Sequence, residues 1–404
     1  MRSRLDYIEA RDMLLKKVKP VDSEKIPLSE SMGRILAENQ QALEDVPSFN
    51  RSPYDGYAFL SEDTQNISRQ SPVTLRLLEE VPAGAVPSKT VTKGTAVKIL
   101  TGAPIPEGAD AVCKYEEVEF TNSTVTLFKS YAVNENIVFA GEDVTCGSQL
   151  AECGSEIDVG LMGTLAAQGI AAPNVYRRLR IGIISTGNEV MELDTPPTAG
   201  KIRNSNRYLL EAALLREGFT PVYLGLGKDS VSNICVLLEK GLAECDAVIS
   251  TGGVSVGDYD LTPAAMQSAA IDIMFHGVRM KPGMACAYGM KGSTLVCGLS
   301  GNPEAALTNF YAIALPVLKK MSGRCEFLPK ELLLTLQAEF PKKSPQTRLL
   351  RGMLELKDGT VKMLLQKEQG NMVMSSRIGC NVMAVVPAGS GPLEKGTVLK
   401  GFMI

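Results

Sequence analysis

The stretch 246–260, which reads Asp-Ala-Val-Ile-Ser-Thr-Gly-Gly-Val-Ser-Val-Gly-Asp-Tyr-Asp, combines residue types that could do chemistry. Its apolar start has the length and β-branching of a buried strand. Gly252 and Gly253 follow at the strand end, where a turn without side chains can bring backbone N–H groups close to an anion such as phosphate. The aspartates that close the stretch, Asp258 and Asp260, suit Mg²⁺, which takes one or two carboxylates together with phosphate oxygens and water. We therefore predict a phosphate and Mg²⁺ site here, with a solvated turn as the alternative.

A second stretch has the same ending. Residues 184–187 repeat the sequence Ile-Ser-Thr-Gly of residues 249–252, in both cases at the end of an apolar run typical of a strand. Parallel sheets bind ligands outside the carboxyl ends of their strands, near a topological switch point. Two further acids follow nearby turns, Glu189 and Asp229. The sequence therefore predicts one crevice that contains both Ser-Thr-Gly ends, four acids and the neighbouring cations Arg203, Arg207, Arg279 and Lys281.

The pattern Gly-x-Ser-x-Gly at 253–257 offers a different interpretation, a hydrolase with Ser255 as its nucleophile. Such an enzyme needs the serine directly on the strand-to-helix turn, followed in the chain by an acid and then a histidine. Ser255 lies five residues beyond Ser250, and the sole histidine, His276, follows too closely for that layout. We therefore favour the phosphate site.

The composition is that of an ordinary globular protein. The charged residues, 22% of the chain, and the hydrophobic residues, 45%, are in the usual range of such proteins. The length of 404 residues predicts roughly three domains. The net charge of −3 gives no electrostatic support for nucleic-acid binding, and no apolar run approaches the roughly 18 residues of a membrane span. Nine cysteines without a Cys-x-x-Cys pair, and a single histidine, argue against a disulfide scaffold or a histidine-rich metal site. We expect a cytoplasmic protein that binds neither nucleic acid nor membranes.

Secondary-structure patterns divide the chain into three regions. An amphipathic pattern predicts a helix near the start, and short β-rich pieces separated by proline and glycine continue to about residue 146. From residue 179, strands alternate with helices, which predicts a parallel sheet covered on both faces. The remainder, 331–404, is strand-like and rich in glycine, which predicts a small β-domain or barrel. The predicted helices span 6–18, 159–168, 206–217, 232–243, 263–270 and 304–321.

Short motifs occur in a fixed order along the whole chain. They are Asp-Gly-Tyr-Ala at 55–58, Thr-Gly-Ala-Pro-Ile-Pro-Glu-Gly at 101–108, Gly-Glu-Asp at 141–143, Ser-Thr-Gly-Asn-Glu at 185–189, the glycine-rich turn at 250–257, Lys-Pro-Gly at 281–283 and Gly-Asn-Pro at 301–303. In combination they resemble the motifs of the MoeA family, the molybdopterin molybdenumtransferases, which also form the E domain of gephyrin. The turn is also similar to that of the molybdopterin-binding domain of the related adenylyltransferases.

The resemblance implies a multidomain α/β fold with four parts. These are a discontinuous linker domain (1–47 and 146–177), an inserted β-domain (48–145), a three-layer α/β molybdopterin-binding domain (178–326) and a C-terminal β-barrel domain (327–404). It also implies a homodimer whose active cleft takes one wall from the inserted domain of the partner subunit, and contact with the molybdopterin adenylyltransferase.

The resemblance further implies an activity and its residues. The substrates would be adenylylated molybdopterin and molybdate, and the adenylate would be hydrolysed with Mg²⁺, releasing AMP. The implied metal ligands are Asp229 and Asp260, and the implied catalytic residues are Asp55, Thr101, Asp143, Glu189, Asp229, Asp260 and Lys281. The implied molybdopterin-binding residues are Ser185, Thr186, Gly187, Ser250, Gly252, Gly253, Ser255, Gly257, Pro282, Gly283, Gly301, Asn302, Pro303, Ser375 and Ser376. The alternative function is that of a non-catalytic paralogue, which binds a pterin or nucleotide or serves as a scaffold.

Several positions depart from the usual motifs of the family. They are Val138, Asn188, Gly277, Met284 and Ser300. At Val138, Gly277 and Met284 the departure removes a positive charge. Arg51, Arg203 and Arg279 are the cations expected to compensate.

Overall fold

The computed structural model describes residues 2–254, 261–357, 359–370 and 372–404. Two compact units are present. The larger comprises Met1–Glu38, Cys153–Asp158 and Ala172–Ile404, and the smaller comprises Asn39–Glu152 and Val159–Ala171. Over the described ranges, no helix is both long enough and apolar enough to cross a lipid bilayer. The finer division into four domains stays a prediction.

All the predicted helices are present, with boundaries shifted by a few residues. They are α1 (Tyr7–Leu15), α2 (Val159–Ala167), α3 (Ser205–Arg216), α4 (Val231–Glu244), α5 (Leu261–Ser268), α6 (Pro303–Asn309) and α7 (Leu315–Met321), and a π-helical turn, Phe310–Ala314, joins the last two. Polar side chains begin three of them, because the first N–H groups of a helix have no partner within it. Asp6 accepts from the N–H of Ile8, and Asn204 and Ser230 cap α3 and α4 in the same way.

The strands are numbered in chain order. They are β1 (Arg2–Leu5), β2 (Ser23–Lys25), β3 (Gln40–Gln41), β4 (Gly56–Phe59), β5 (Val73–Val81), β6 (Thr95–Ile99), β7 (Ala111–Lys114), β8 (Glu119–Phe120), β9 (Thr124–Leu127), β10 (Gln149–Ala151), β11 (Asn174–Tyr176), β12 (Arg180–Thr186), β13 (Val190–Met191), β14 (Ile202–Arg203), β15 (Thr220–Gly227), β16 (Ala247–Thr251), β17 (Asp272–Val278), β18 (Met280–Lys281), β19 (Cys286–Lys291), β20 (Thr294–Leu299), β21 (Glu331–Leu336), β22 (Thr347–Lys357), β23 (Thr360–Leu365), β24 (Val382–Val386) and β25 (Val398–Met403).

The central sheet of the larger unit has seven strands in the order β1-β17-β19-β20-β16-β12-β15. Strands β20, β16, β12 and β15 run parallel, but β19 is antiparallel to both of its neighbours. The prediction of a parallel sheet is therefore wrong for β19 alone, since β17 runs in the direction of β20 and β1 is parallel to β17. The reason is the short connection between β19 and β20, since a parallel crossover needs about a dozen residues or more.

Helices cover both faces of this sheet. Ile249 and Ile183 point into a core shared with Leu214 of α3, whereas Val248 points into a second core shared with Leu238 of α4. Successive side chains of a strand alternate between faces, so an unbroken apolar run fills both layers. The three-layer arrangement predicted for this part is confirmed.

The connections of the sheet create a binding edge. The chain passes from β12 to β15 on one side and then returns to β16 on the other side of β12. The topological switch point therefore lies between β12 and β16, where Thr186 and Thr251 end the two strands.

A closed barrel follows the central sheet in the chain. Strands β22, β23, β21, β25 and β24 pair in that order, and a pairing of β22 with β24 closes the ring. Leu334, Met363 and Val382 fill its interior. The predicted C-terminal β-barrel is confirmed. In addition, β18 pairs with β22 in parallel, with Lys281 opposite Arg348.

The smaller unit contains a six-stranded sheet in the order β7-β4-β6-β5-β9-β8. Its core includes Tyr57, Phe59 and Leu75. Since β4 and β6 are antiparallel, the residue before β4, Asp55, lies beside the residues that follow β6.

Candidate functional site

A cavity of about 690 Å³ opens at the carboxyl ends of the central strands, within the larger unit. Predicted site residues from every motif of this region line it, namely Thr186, Gly187, Glu189, Asp229, Gly252, Gly253, Lys281, Pro282, Gly283, Gly301 and Asn302. Its volume falls in the range of ligand pockets. The two Ser-Thr-Gly ends therefore face one space, as the sequence predicts.

Close contact with the end of β12 explains the glycine at position 252. Gly252 adopts φ +100° and donates its N–H to the carbonyl of Leu299 at 2.9 Å. A Cβ at this position would clash with Oγ1 of Thr186 and lie 2.7 Å from the carbonyl oxygen of the same residue. Thr262, in α5, secures the turn because its Oγ1 donates to the carbonyl of Gly252 at 2.9 Å.

Gly252→Ala is expected to distort this turn. The alanine must adopt a left-handed backbone, which costs roughly 1–2 kcal/mol, and it must also displace the end of β12. We expect a loss of thermal stability and of ligand binding in the cavity, measured by thermal melting and by titration with AMP. Gly218→Ala is the matched control, since Gly218 also has positive φ but a Cβ there would meet no atom within 4 Å. Equal losses in both variants would show that contact with Thr186 has no role.

Asp229 and Glu189 form an acidic wall of the cavity. The Oδ2 of Asp229 accepts the N–H of Asn188 at 2.9 Å, and the N–H of Asp229 donates back to Oδ1 of Asn188 at 3.2 Å. Within the described residues, the other carboxylate oxygen of Asp229 accepts no hydrogen bond. The carboxylate of Glu189 lies against Gly187, where a Cβ would approach its oxygens to 2.7 and 2.8 Å.

Asp229 and Glu189 could supply some of the ligands of a hard cation, but not a complete set. Among the described residues, no group of three or more histidine, cysteine, aspartate or glutamate side chains is arranged to hold a metal ion. One or two carboxylates completed by phosphate oxygens and water are what Mg²⁺ commonly takes, so Asp229 and Glu189 fit it. The predicted Ser255, Gly257 and Asp260 lie outside the described residues.

Lys281, Pro282 and Gly283 also line the cavity. Lys281 ends β18, and the carbonyl of Gly283 accepts Nδ2 of Asn309 at 2.8 Å. Tyr288 donates its hydroxyl to Oδ1 of the same asparagine at 2.5 Å. This buried network fixes the loop that carries Lys281.

Three predicted residues support the cavity from behind. Ser185 is buried and donates to Oδ1 of Asn204 at 2.9 Å, which ties the end of β12 to the start of α3. Ser250 is buried in β16, and its Oγ has no hydrogen-bond partner within the described residues. Pro303 begins α6 directly after the cavity-lining Asn302.

Ser376 belongs to a buried ionic network of the barrel, whereas its neighbour Ser375 is exposed. The Oγ of Ser376 accepts Nε of Arg351 at 2.9 Å. Glu304, in α6, accepts both Nε and Nη2 of Arg377, at 3.1 and 2.8 Å, and its carboxylate lies 3.5 Å from Nε of Arg351. Sequence analysis missed this network, because an acid in the first turn of a helix is usually solvated.

The remaining predicted residues lie in the smaller unit. Thr101 donates both its N–H and its hydroxyl to Oδ1 of Asp55, each at 2.7 Å, and these bonds hold the pKa of the Asp55 carboxyl below its usual value. Asp143 follows the Gly-Glu turn, and its N–H donates to the carbonyl of Val46 at 3.0 Å. The structure therefore brings Asp55 and Thr101 together.

Thr101→Val is expected to raise the pKa of Asp55 toward its ordinary value of about 3.9, because one of the two hydrogen bonds to the charged form is lost. The pKa of Asp55 is lower in the folded protein than in the unfolded chain. The ionised Asp55 therefore stabilises the fold at pH values above the unfolded pKa. This stabilisation is lost as the pH falls through the folded pKa, because the carboxylate is then protonated. Carboxyl ¹³C NMR titration measures the shift. Thr121→Val is the control, because Thr121 bonds to Thr124 and not to an acid. An unchanged pKa in Thr101→Val would assign the shift to the backbone N–H alone.

Several cavity-lining residues were not predicted. They are Ile202, Val254, Met280, Met284, Ala285, Ser300, Ala305, Gln346 and Met372. Conversely, Arg203 and Arg279 do not line this cavity in the part of the chain that the structure describes. The Nη1 of Arg203 instead donates to carbonyls of the preceding loop, at 2.9 Å to Glu192 and at 2.5 Å to Leu193. The short sequence distance of these arginines from the site motifs therefore did not predict their positions in the structure.

Comparisons with known proteins agree with this arrangement. Residues 5–169 match the family model of the MoeA N-terminal region, domains I and II, and residues 182–320 match that of a probable molybdopterin binding domain. A molybdopterin molybdenumtransferase of Staphylococcus epidermidis is 33% identical over 98% of this chain and 95% of its own, and one of Bacillus subtilis is 34% identical over 95% and 90%. The crystal structure of a molybdopterin biosynthesis MoeA protein from Pyrococcus horikoshii OT3 is similar with a TM-score of 0.85 and 30% identity, covering 99% of this chain and 100% of the other.

Proposed function

Since the chain belongs to the MoeA family of molybdopterin molybdenumtransferases, and is thus a transferase of molybdenum cofactor biosynthesis, we propose that it inserts molybdenum into adenylylated molybdopterin and releases AMP in a Mg²⁺-dependent step. The observation that carries this proposal is the cavity at the switch point of the central sheet, which is lined by glycine turns, by acids and by a lysine.

The residues that line the cavity suit both substrates of this reaction. Gly252 and Gly253 allow the phosphates to approach the backbone closely, and Asp229 and Glu189 are available to a cation bound to those phosphates. Lys281 also lines the cavity, and its positive charge suits molybdate, a tetrahedral oxyanion. These residues support a proposal in which the glycine turns and acids bind the adenylate and Lys281 binds the molybdate that is transferred.

The residues of this chain act by positioning and by charge. Cleavage of a phosphoanhydride by water depends on in-line placement and neutralisation of negative charge more than on covalent catalysis. Asn188 fixes the orientation of Asp229, and Asn309 fixes the loop of Lys281. When bound, Mg²⁺ supplies charge neutralisation at the phosphate oxygens. Asp229 and Asp260 are the proposed ligands.

We extend the proposal to a homodimer. Asp55, Thr101 and Asp143 belong to the smaller unit, and we propose that they complete the cavity of the partner subunit. The ionised Asp55 would face the substrate from that side, and the molybdopterin adenylyltransferase is the proposed source of the adenylylated substrate. Size-exclusion chromatography with light scattering measures the oligomeric state.

The test is the release of AMP from adenylylated molybdopterin by the purified protein, followed by chromatography. We expect release that requires both molybdate and Mg²⁺ and that stops when Mg²⁺ is chelated. Binding of the substrate without any AMP release would contradict the proposal and would favour a non-catalytic role.

A further inference from the structure

The loop that carries Glu189 is held by a group of polar side chains behind the cavity. This loop follows β12 and contains the paired strands β13 and β14. Glu192 lies within the loop, Asn204 follows it and begins α3, and Tyr223 lies in β15. Asn204 is only 2% exposed, and none of these three described residues lines the cavity. Any effect of the three on the reaction is therefore indirect.

The donors and acceptors of this group allow a single arrangement of the Asn204 amide. The hydroxyl of Tyr223 has one hydrogen and donates it to Oε1 of Glu192 at 2.5 Å, because a carboxylate oxygen accepts. Nδ2 of Asn204 lies 3.2 Å from the Tyr223 oxygen and 3.2 Å from Oε1 of Glu192, so its two hydrogens point to these two atoms. Oδ1 of Asn204 must then face the other way, toward Ser185.

Asn204 connects this group to the end of β12. Its Oδ1 accepts the hydroxyl of Ser185 at 2.9 Å and also the N–H of Arg207, in the first turn of α3, at 3.4 Å. Ser185 directly precedes Thr186 and Gly187, which line the cavity. The orientation of one buried amide therefore fixes the strand end relative to the helix.

Main-chain hydrogen bonds extend the same restraint to Glu189. The N–H of Asn204 donates to the carbonyl of Met191 at 2.9 Å, and the N–H of Ile202 donates to the carbonyl of Glu189 at 2.8 Å. Glu192 lies three residues beyond Glu189. The two carboxylates therefore belong to one short segment, and a change at Glu192 is transmitted to Glu189 through the backbone.

Arg207 supports Tyr223 and Glu192 from α3. Its guanidinium lies 3.8 Å from the ring centre of Tyr223, its Nη1 lies 3.5 Å from Oε2 of Glu192, and its Nε donates to Glu211 at 2.8 Å. Burial and the hydrogen bond to Glu192 raise the pKa of Tyr223, so the hydroxyl keeps its hydrogen at neutral pH. Arg207 was expected among the cations of the crevice, but it does not line the cavity.

We propose that Tyr223 and Glu192 are positioning residues of the transferase, which act through Asn204 on Ser185 and on the loop of Glu189. This inference rests on the proposed function. Without the hydroxyl of Tyr223, Asn204 loses one of its two acceptors, and its amide can rotate so that Nδ2 faces Ser185. The strand end and Glu189 then lose the fixed geometry that the phosphates and their cation require.

The test compares Tyr223→Phe with Tyr208→Phe in the full-length protein. Both rings lie beside the guanidinium of Arg207, at 3.8 and 4.9 Å, but the hydroxyl of Tyr208 forms no hydrogen bond with the described residues. We expect Tyr223→Phe to lower the kcat of AMP release about 10-fold and to raise the Mg²⁺ concentration for half-maximal release about 3-fold. Tyr208→Phe is expected to match the wild type. A loss of folded protein alone lowers the rate without moving the Mg²⁺ midpoint.

Two substitutions of Glu192 provide a second comparison. Glu192→Gln keeps the shape of the side chain and an acceptor oxygen for Tyr223, and its kcat is expected to stay within about 3-fold of the wild type. Glu192→Ala removes the acceptor and is expected to behave as Tyr223→Phe. Wild-type kcat and Mg²⁺ midpoint in both Glu192→Ala and Tyr223→Phe would overturn the inference, and so would equal changes in Tyr208→Phe.

The inference and the proposed function fail in different ways. Binding of Mn²⁺ in the presence of AMP, measured by electron paramagnetic resonance, needs no turnover. If the wild type releases no AMP but Tyr223→Phe binds Mn²⁺ about 3-fold more weakly than Tyr208→Phe, the proposed reaction is refuted and the positioning role is supported. AMP release with unchanged kcat and Mg²⁺ midpoint in Tyr223→Phe would refute the positioning role alone. The absence of both AMP release and Mn²⁺ binding in the wild type would refute both.

Discussion

Glu304→Ala is expected to lower the free energy of unfolding by about 3–5 kcal/mol, because it leaves buried positive charge without a counterion. The side chain of Glu304 is 0% exposed and that of Arg351 is 2% exposed. Arg377 makes a bidentate contact with the same carboxylate, at 3.1 and 2.8 Å. Losing the carboxylate therefore removes the partner of two guanidinium groups at once. Urea unfolding followed by circular dichroism measures the change.

Glu331→Ala provides the matched control. Glu331 pairs with Lys400 at 2.9 Å, but both side chains are largely exposed, at 71% and 68%. Solvent screens such a pair, so we expect a loss of less than about 1 kcal/mol. If Glu304→Ala cost no more than this control, the pairing of α6 with the barrel through Glu304 would be excluded. Glu304→Gln, which keeps the shape and a hydrogen-bond acceptor, is expected to give an intermediate loss.

The strands that build the candidate site could be predicted because their own residues indicate a buried strand. Residues 247–251 and 181–186 are apolar or β-branched over their whole length and are buried on both faces, so no alternative element fits them. The Ser-Thr-Gly sequence that ends both strands indicates from sequence alone that the two ends lie at the same edge of the sheet. The helices α3 and α4 followed from periodicity in the same way.

The direction of strands could not be predicted from these patterns. An apolar run such as β19 reads alike in a parallel and an antiparallel sheet, and only its short connection to β20 decides the direction. The strand β1 is a stronger example, since Arg-Ser-Arg-Leu has no strand pattern of its own. It forms by pairing with β17, where Leu5 lies opposite Val278.

Long-range register explains why a neighbour of the site residue Lys281 could not be predicted. Lys281 was recognised within its Lys-Pro-Gly motif, but Arg348 becomes its neighbour only through the pairing of β18 with β22. Nothing in the local sequence around residue 348 distinguishes it from a solvated strand residue. By contrast, Arg203 was expected near the site because of sequence proximity, and its contacts to loop carbonyls show a structural role.

Asp229→Ala is expected to reduce the rate of AMP release by about 100-fold or more, the effect typical of removing one fixed electrostatic group from a catalytic site. One carboxylate oxygen of Asp229 is engaged by the N–H of Asn188, and this bond holds the side chain at the edge of the cavity. Asp229→Asn keeps the shape and an acceptor but removes the charge. It is therefore expected to lose activity while retaining the melting temperature of the wild type.

The Mg²⁺ dependence separates a metal ligand from a supporting residue. If Asp229 binds Mg²⁺, Asp229→Asn needs a higher Mg²⁺ concentration for half-maximal AMP release, and binding of Mn²⁺ measured by electron paramagnetic resonance weakens in parallel. Asp194→Ala, which removes an exposed carboxylate that does not line the cavity, is expected to change neither quantity. Full activity and unchanged Mn²⁺ binding in Asp229→Asn would exclude Asp229 from the metal site. Glu189 and Asp260 would then be the remaining candidate ligands of the cation. The reciprocal hydrogen bonds between Asn188 and Asp229 would serve only to join the two loops that carry them.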